Sequence, residues 1–324
     1  MKHPLRQTIF LLSLFLIVQI LGLFLLSSTA IIEPVSIQQN KTVNESSFHV
    51  TYADTAIGER PEMSGFSSVI YIVVAVGIGT MLLLLLVRLK KGLLVWKIWY
   101  LLAVTMAMTV TFGVYIPAAI AFFIALLLGV LKIWFSHPLL HNVTEIFVYV
   151  GIALILVPLF SPLWALLLLV IISVYDMYAV WKSKHMIALA KFTSQSKLFP
   201  GFSISYTPKH TSSSKKISSD VVKKTTTKTT LKKPSLSSHQ AILGGGDVLF
   251  PLLFAGSVLI ALLQEGVFIT HAILFSLLIS IGSLVALAIL FRIAKKGTFY
   301  PAMPFITAGC IAGTIILQLL LFVL

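Results

Sequence analysis

Charge is scarce in this sequence. Only 10% of its 324 residues are Asp, Glu, Lys or Arg, while 58% are hydrophobic; an ordinary soluble domain carries roughly 25% charged and about 45–50% apolar residues. A water-soluble globule is therefore excluded. Cysteine is nearly absent: Cys310 stands alone in an apolar run, so no intrachain disulfide and no Cys-based zinc site can be drawn. No His-Glu-x-x-His segment occurs, which removes the commonest helical zinc-hydrolase pattern. Gly256-Ser257 and Gly282-Ser283 lack the Gly-x-Ser-Gly setting of a rhomboid-type serine nucleophile and read as small residues for helix packing.

What the chain has in quantity is long apolar runs. Stretches near 20 residues, long enough to cross about 30 Å of hydrocarbon, are read at 9–28, 67–87, 94–115, 117–134, 145–160, 163–181, 244–263, 271–291 and 301–323. The expected fold class is all-α, a polytopic membrane protein with nine transmembrane helices. Pro117 divides what would otherwise be an implausibly long helix and suits the first turn of a new one, where its missing N–H costs nothing.

The 24 basic residues outnumber the 10 acidic ones, for a net charge of +14. In a soluble protein that excess suggests nucleic acid; here its distribution reads as a topology signal and no nucleic-acid partner is expected. With the N-terminus inside, every Lys and Arg except Lys41 and Arg60 falls on one side of the membrane. The positive-inside rule then predicts a cytoplasmic N-terminus and an external C-terminus. Residues 1–182 carry helices one to six with an external loop at 29–66, whose five acidic residues against Lys41 and Arg60 read as a solvated surface. Residues 183–240 form a flexible basic cytoplasmic loop, rich in Ser, Thr and Lys, and 241–324 carry helices seven to nine. Lys2 and Arg6 before an apolar run could open a cleaved signal peptide, but the run from Ile9 to Leu26 is long for one, and a retained anchor is preferred. The location is integral and multi-pass, in the plasma membrane if the source is prokaryotic. The bilayer is the one certain partner, and the loop lysines suit anionic headgroups. Asn44-Glu45-Ser46 in the external loop is a glycosylation sequon only in a host that glycosylates.

Outside the two long loops four acids remain: Glu145, Asp176, Asp247 and Glu265. Glu145 and Glu265 are read at helix ends, within reach of water. Asp176 lies about five residues from the cytoplasmic end of the sixth span, and Asp247 enters from the same side in the first turns of the seventh. Two acids thus arrive at one depth on consecutive helices, and an intramembrane acid is costly enough to be a functional hypothesis by default. Two carboxyls facing one another in a low-dielectric site share a proton. Such a pair suits aspartic-protease chemistry, in which one group deprotonates water and the other protonates the amide. It equally suits a proton-coupled transporter or a cation-conducting pore. His137, His141 and Glu145 at spacing i, i+4, i+8 offer one helix face of ligands, too few for a metal site, and no metal or other cofactor is expected.

Local sequence separates these readings. Gly244-Gly245-Gly246 precedes Asp247 and permits irregular backbone beside an acid, Tyr175 precedes Asp176, and Pro301-Ala302-Met303 opens the ninth span on the same side. Tyr175-Asp176, Gly244-Gly245-Gly246-Asp247 and Pro301-Ala302-Met303 resemble the YD, GxGD and PAL motifs of the presenilin and signal peptide peptidase family of intramembrane aspartyl proteases. Their order, their spans and the nine-span layout agree over nearly the whole chain. A prepilin-type peptidase shares GxGD but not that layout. The N-in orientation and the long loop between the aspartate helices resemble the presenilin branch, and the short tails resemble archaeal homologues. The resemblance implies cleavage of membrane-protein or signal-peptide segments by Asp176 and Asp247. Tyr175 and the three glycines would support the site, and Pro301, Ala302 and Met303 would position substrate. It leaves accessory subunits and the physiological substrate open. The chain departs from the pattern at Met303, where Leu is usual, and carries Gly245 at the variable position.

Overall fold

The structure, a computed structural model, describes residues 5–34, 48–52, 54–59, 65–88, 92–135, 137–183, 199–206, 239–294 and 300–323. In chain order the elements are α1 (Leu5–Thr29), β1 (Ala30–Pro34), β2 (Phe48–Tyr52), α2 (Phe66–Arg88), α3 (Gly92–Phe112), α4 (Ala118–Trp134), α5 (Pro138–Leu156) and α6 (Pro162–Tyr178). There follow β3 (Gly201–Tyr206), β4 (His239–Gly244), α7 (Gly245–Gln264), α8 (Ile269–Ile293) and α9 (Met303–Val323). Among the described residues eight helices are long and apolar enough to cross a membrane, and α4, with 17 residues, is a shorter ninth. At 1.5 Å per residue α4 still covers about 25 Å.

Proline marks where several of these helices begin. Pro138 and Pro162 stand in the first turns of α5 and α6, where no intrahelical N–H is needed. Pro117 sits one step earlier than expected, as the extended residue just before α4. The helices pack around α7, which is buried on nearly every side and touches α1, α5, α6, α8 and α9. Between α8 and α9 the spacing is set by glycine: a Cβ at Gly282 would meet the Gly309 carbonyl, and one at Gly309 the Gly282 carbonyl. Small residues of this kind let two membrane helices approach closely.

Three sequence expectations need correction. The fifth span starts at Pro138 rather than at 145, because His141, Asn142, Thr144 and Glu145 depress hydropathy without ending the helix. Glu145 consequently lies two turns inside α5, fully buried, not at a wet end. Lys132, counted among the cytoplasmic basic residues, is buried with it: Nζ stands 2.5 Å from Glu145 Oε1, which also accepts the Tyr100 hydroxyl at 2.6 Å. Paired in this way, a Lys and a Glu tolerate an interior that neither would alone.

The second correction concerns the loop at 183–240. Residues 199–206 are ordered, and β3 pairs antiparallel with β4 from Gly201↔Gly244 to Tyr206↔His239. The lysine-rich stretch 207–238 lies outside the described residues. Third, the external loop is not wholly a solvated surface. β1 continues directly from α1 and pairs with β2, Ala30↔Tyr52 to Pro34↔Phe48. Val50 is buried, and Ala56 lies against Gly113 at the end of α3. The sequon at 44–46 lies outside the described residues.

Candidate active site

Asp176 sits near the C-terminal end of α6, just before a single π-turn over Ala179–Ser183. Its side chain is 8% exposed. Oδ2 accepts the backbone N–H of Met303 at 3.2 Å, and the backbone of Ala302 adds a second hydrogen bond. Met303 is the first residue of α9, so Asp176 caps that helix from another one. The first N–H groups of a helix have no intrahelical acceptor and carry partial positive charge, and a carboxyl group answers both needs. Pro301 lies just outside the helix; Pro304 is the proline in its first turn. One turn before Asp176, Ser173 Oγ and Thr307 Oγ1 are 2.7 Å apart, a second clasp between α6 and α9. The Tyr175 hydroxyl points to a different neighbour, Thr80 Oγ1 on α2, at 3.2 Å.

Asp247 occupies the first turn of α7, so the second acid also stands at a helix N-terminus. The backbone of Gly244 hydrogen-bonds to its carboxyl group, and the two aspartates are close enough to interact electrostatically. Three features hold this turn, and a fourth loosens it. The N–H of Gly245 donates to Pro200 O at 3.2 Å, extending the β3–β4 register to the start of the helix. Gln19, buried on α1, donates from Nε2 to Val248 O at 3.0 Å and accepts from Ser280 Oγ on α8 at 3.0 Å. Tyr149 of α5 lies against Gly245. Pro251, inside α7, has no N–H to offer the Asp247 carbonyl four residues earlier, which leaves the first turn less tied than an ordinary one.

The strand edges beside Asp247 are not equivalent. Asn142 bonds the backbone of Ser203 in both directions, Nδ2 to Ser203 O at 2.9 Å and Ser203 N–H to Oδ1 at 3.0 Å. His141 Nε2 lies 2.8 Å from Gly201 O. The outer edge of β3 is thus closed by α5. In an antiparallel pair, residues opposite one another either bond to each other or both point outward. Ser203 points outward, so its register partner Ile242 does too, as does Gly244. Among the described residues no other strand pairs with this edge of β4, which ends at Gly244, beside the Asp247 carboxyl. An apolar cavity of about 510 Å³ lies between α2, α3 and α5, with Leu82, Trp99, Glu145, Tyr149 and Pro200 on its walls.

Asp176, Asp247 and Pro301-Ala302-Met303 therefore meet at one end of the bundle, and Gly244, Gly245 and Gly246 form the turn into Asp247. Tyr175 adjoins the site through α6 but turns its hydroxyl toward α2. Gln19, Ser173, Thr307 and Asn142 went unread in the sequence. Gln19 carried a signal, an amide in the middle of an apolar span. The serine and the threonine look like ordinary helix-packing residues until the partner helix is in place.

Residues 12–323 match the family described as signal-peptide peptidase, presenilin aspartyl protease. Among solved structures, one presenilin family intramembrane aspartate protease, in a C222 crystal form, superimposes with a TM-score of 0.60 at 18% identity, over 97% of this chain and 99% of that one. A P2 crystal form of a presenilin family intramembrane aspartate protease gives 0.57 at 19% identity, over 98% of each chain. No curated protein matches. With the family's sequence pattern spanning residues 12–323, nearly the whole chain, the chain belongs to the signal-peptide peptidase and presenilin family of aspartyl proteases.

Proposed function

We propose that Asp176 and Asp247 are the catalytic pair and that the protein hydrolyses peptide bonds within membrane-spanning helices. The observation that carries this is the convergence of two carboxyl groups, each at a helix N-terminus, with the Met303 amide on one and the free edge of β4 ending at the other. With one proton shared by the pair, the ionised carboxyl takes a proton from water as it attacks the scissile carbonyl carbon. The protonated one hands its proton to the carbonyl oxygen. As the tetrahedral intermediate collapses and the C–N bond breaks, the amine takes the proton drawn from water, and a hydroxyl of the intermediate returns a proton to the other carboxylate, which restores the singly protonated pair. Such hydrolysis needs no metal and no organic cofactor.

A helical substrate hides its amides in its own hydrogen bonds and has to unwind before attack. The exposed N–H and C=O groups then need partners. The outward groups of Ile242, on the free edge of β4, supply them, adding the substrate as a strand that leads toward Asp247. The apolar walls of the cavity between α2, α3 and α5 suit side chains arriving from lipid. We place the N-terminus and the site's end of the bundle on the cytoplasmic side, from the distribution of Lys and Arg. In a prokaryotic cell the membrane is the plasma membrane.

The test is the purified protein in liposomes with a transmembrane reporter peptide. Hydrolysis blocked by a tetrahedral-intermediate mimic is expected; no hydrolysis, with a proton or cation flux that depends on the two acids, would replace this reading with transport.

Two pairs of variants give further expected outcomes. Pro301→Leu should remove most activity and shift the cut sites that remain, since it alters the backbone leading to the Met303 amide on Asp176. Met303→Leu, close in volume and with the same amide, should stay near wild type. Mass spectrometry of the products checks both, and an unchanged cut-site map with full rate in Pro301→Leu would reduce the stretch to a helix start. Replacing 207–238 by a short Gly-Ser turn should preserve hydrolysis, because Tyr206 and His239 are already opposite each other and loop length contributes little to closure. Deleting 199–206 should abolish it, because β3 and the acceptor for Gly245 go with it. Gel-based cleavage of the same reporter by the two deletion variants separates them.

A further inference from the structure

Gly245 occupies the variable position of the glycine motif, and its backbone does not require glycine. Its φ is not among the positive values, which belong to Gly58, Gly65, Gly201 and Gly266. What excludes a side chain is a neighbour: a Cβ at 245 would stand 2.6 Å from the Tyr149 hydroxyl and 2.8 and 2.9 Å from its ring carbons. Tyr149 is 4% exposed. Its ring is held edge-on by Phe202 of β3, at 5.6 Å between centroids and 87° between planes. Its hydroxyl lies close enough to Glu145 and Asp247 to sense both charges. It is turned toward Glu145, and no other group among the described residues bonds to it. The ring's place is set by its packing against Phe202 on one side and Gly245 on the other. It is pressed against the residue two before Asp247.

We propose that Tyr149 is a positioning residue for Asp247, its ring on α5 fixing the glycine turn at Gly245 and so the seat of the carboxyl group. The proposal rests on the reading of Asp247 as catalytic. Three glycines in sequence leave the approach to α7 pliable, and the Gly245–Pro200 hydrogen bond restrains it from the strand side only. Tyr149 supplies the opposing wall, and Phe202 ties that wall to the same ribbon. The Lys132–Glu145 pair, one turn earlier on α5, stiffens the stretch of helix that carries it.

The test is a double-mutant cycle on the full chain in liposomes, with kcat and KM for the reporter peptide and an unfolding midpoint for each variant. Gly245→Ala should lower kcat by about 10- to 100-fold with KM little changed, the cost of a misplaced reacting group. Gly245→Ala/Tyr149→Leu, which vacates the space the new methyl needs, should recover a large part of that loss. Tyr149→Leu alone should lower kcat without moving KM, while Tyr149→Phe, which keeps the ring, should stay within a fewfold of wild type. Full rate in Gly245→Ala, or a double variant no better than Gly245→Ala, would overturn the proposal. If Gly245→Ala does not fold, the Tyr149→Leu and Tyr149→Phe pair decides: equal rates in the two would also overturn it. Asp247→Asn in the same assay keeps the two readings apart. If Asp247→Asn remains active the catalytic assignment falls, whereas an inactive Asp247→Asn beside a fully active Gly245→Ala removes only the role of Tyr149.

Discussion

Asp247→Asn and Asp176→Asn are each expected to lower hydrolysis by at least about 10³-fold, within the range that positioned acid–base groups supply, while leaving the bundle folded. Asn has nearly the shape of Asp and keeps an oxygen that accepts a hydrogen bond. In Asp176→Asn that oxygen can still receive the Met303 N–H, and in Asp247→Asn the Gly244 backbone contact survives. What is lost is the ability to take up and release a proton. Neither residue substitutes for the other, because the water and the amide must be served at opposite ends of one reaction. Purified variants giving a single symmetric size-exclusion peak and no product from the reporter peptide would meet the expectation. Substantial turnover in either one, with contaminating protease excluded by an inhibitor control, would sink the pair.

The second large effect is on stability and lies away from the chemistry. Lys132→Met should destabilise the protein by about 3–5 kcal/mol, the cost of leaving one partner of a buried ion pair without the other. Glu145 keeps the Tyr100 hydroxyl in that variant but loses its cationic partner while remaining buried. Removing both charges is another matter: Lys132→Met/Glu145→Leu should be much closer to wild type, since apolar groups of similar volume often replace a buried pair without loss. Detergent-titration unfolding of the three proteins measures this. A Lys132→Met protein as stable as wild type would show that the pair is solvated in the bilayer and contributes little.

The contrast between these two sites explains what could be read from residues alone. Spans such as 271–291 are legible because a bilayer imposes a minimum length and an apolar composition, and because helices are the way a lone segment satisfies its own backbone in lipid. The same rule misled at the fifth span. There the polar face of α5 is satisfied by Lys132, Tyr100 and the backbone of β3, so a helix continues where hydropathy fades. β1 to β4 escaped the reading because short pairs inside polar loops have no periodicity strong enough to announce them.

Asp176, Asp247 and Pro301-Ala302-Met303 were recognisable in the sequence because each is anomalous locally: a charge in an apolar run, three successive glycines, a proline at a span's start. The count of spans put all of them at one end of the bundle, since direction alternates from helix to helix. Tertiary structure alone decided that Asp176 caps α9, that Asn142 closes one strand edge and leaves the other free, and that Tyr149 fills the space beside Gly245. Those contacts join residues from about 60 to about 130 positions apart, and a helix facing lipid or protein is apolar on either side. The sequence of a membrane helix therefore states its length and its end points plainly, while which of its faces meets which neighbour depends on packing that no single segment encodes.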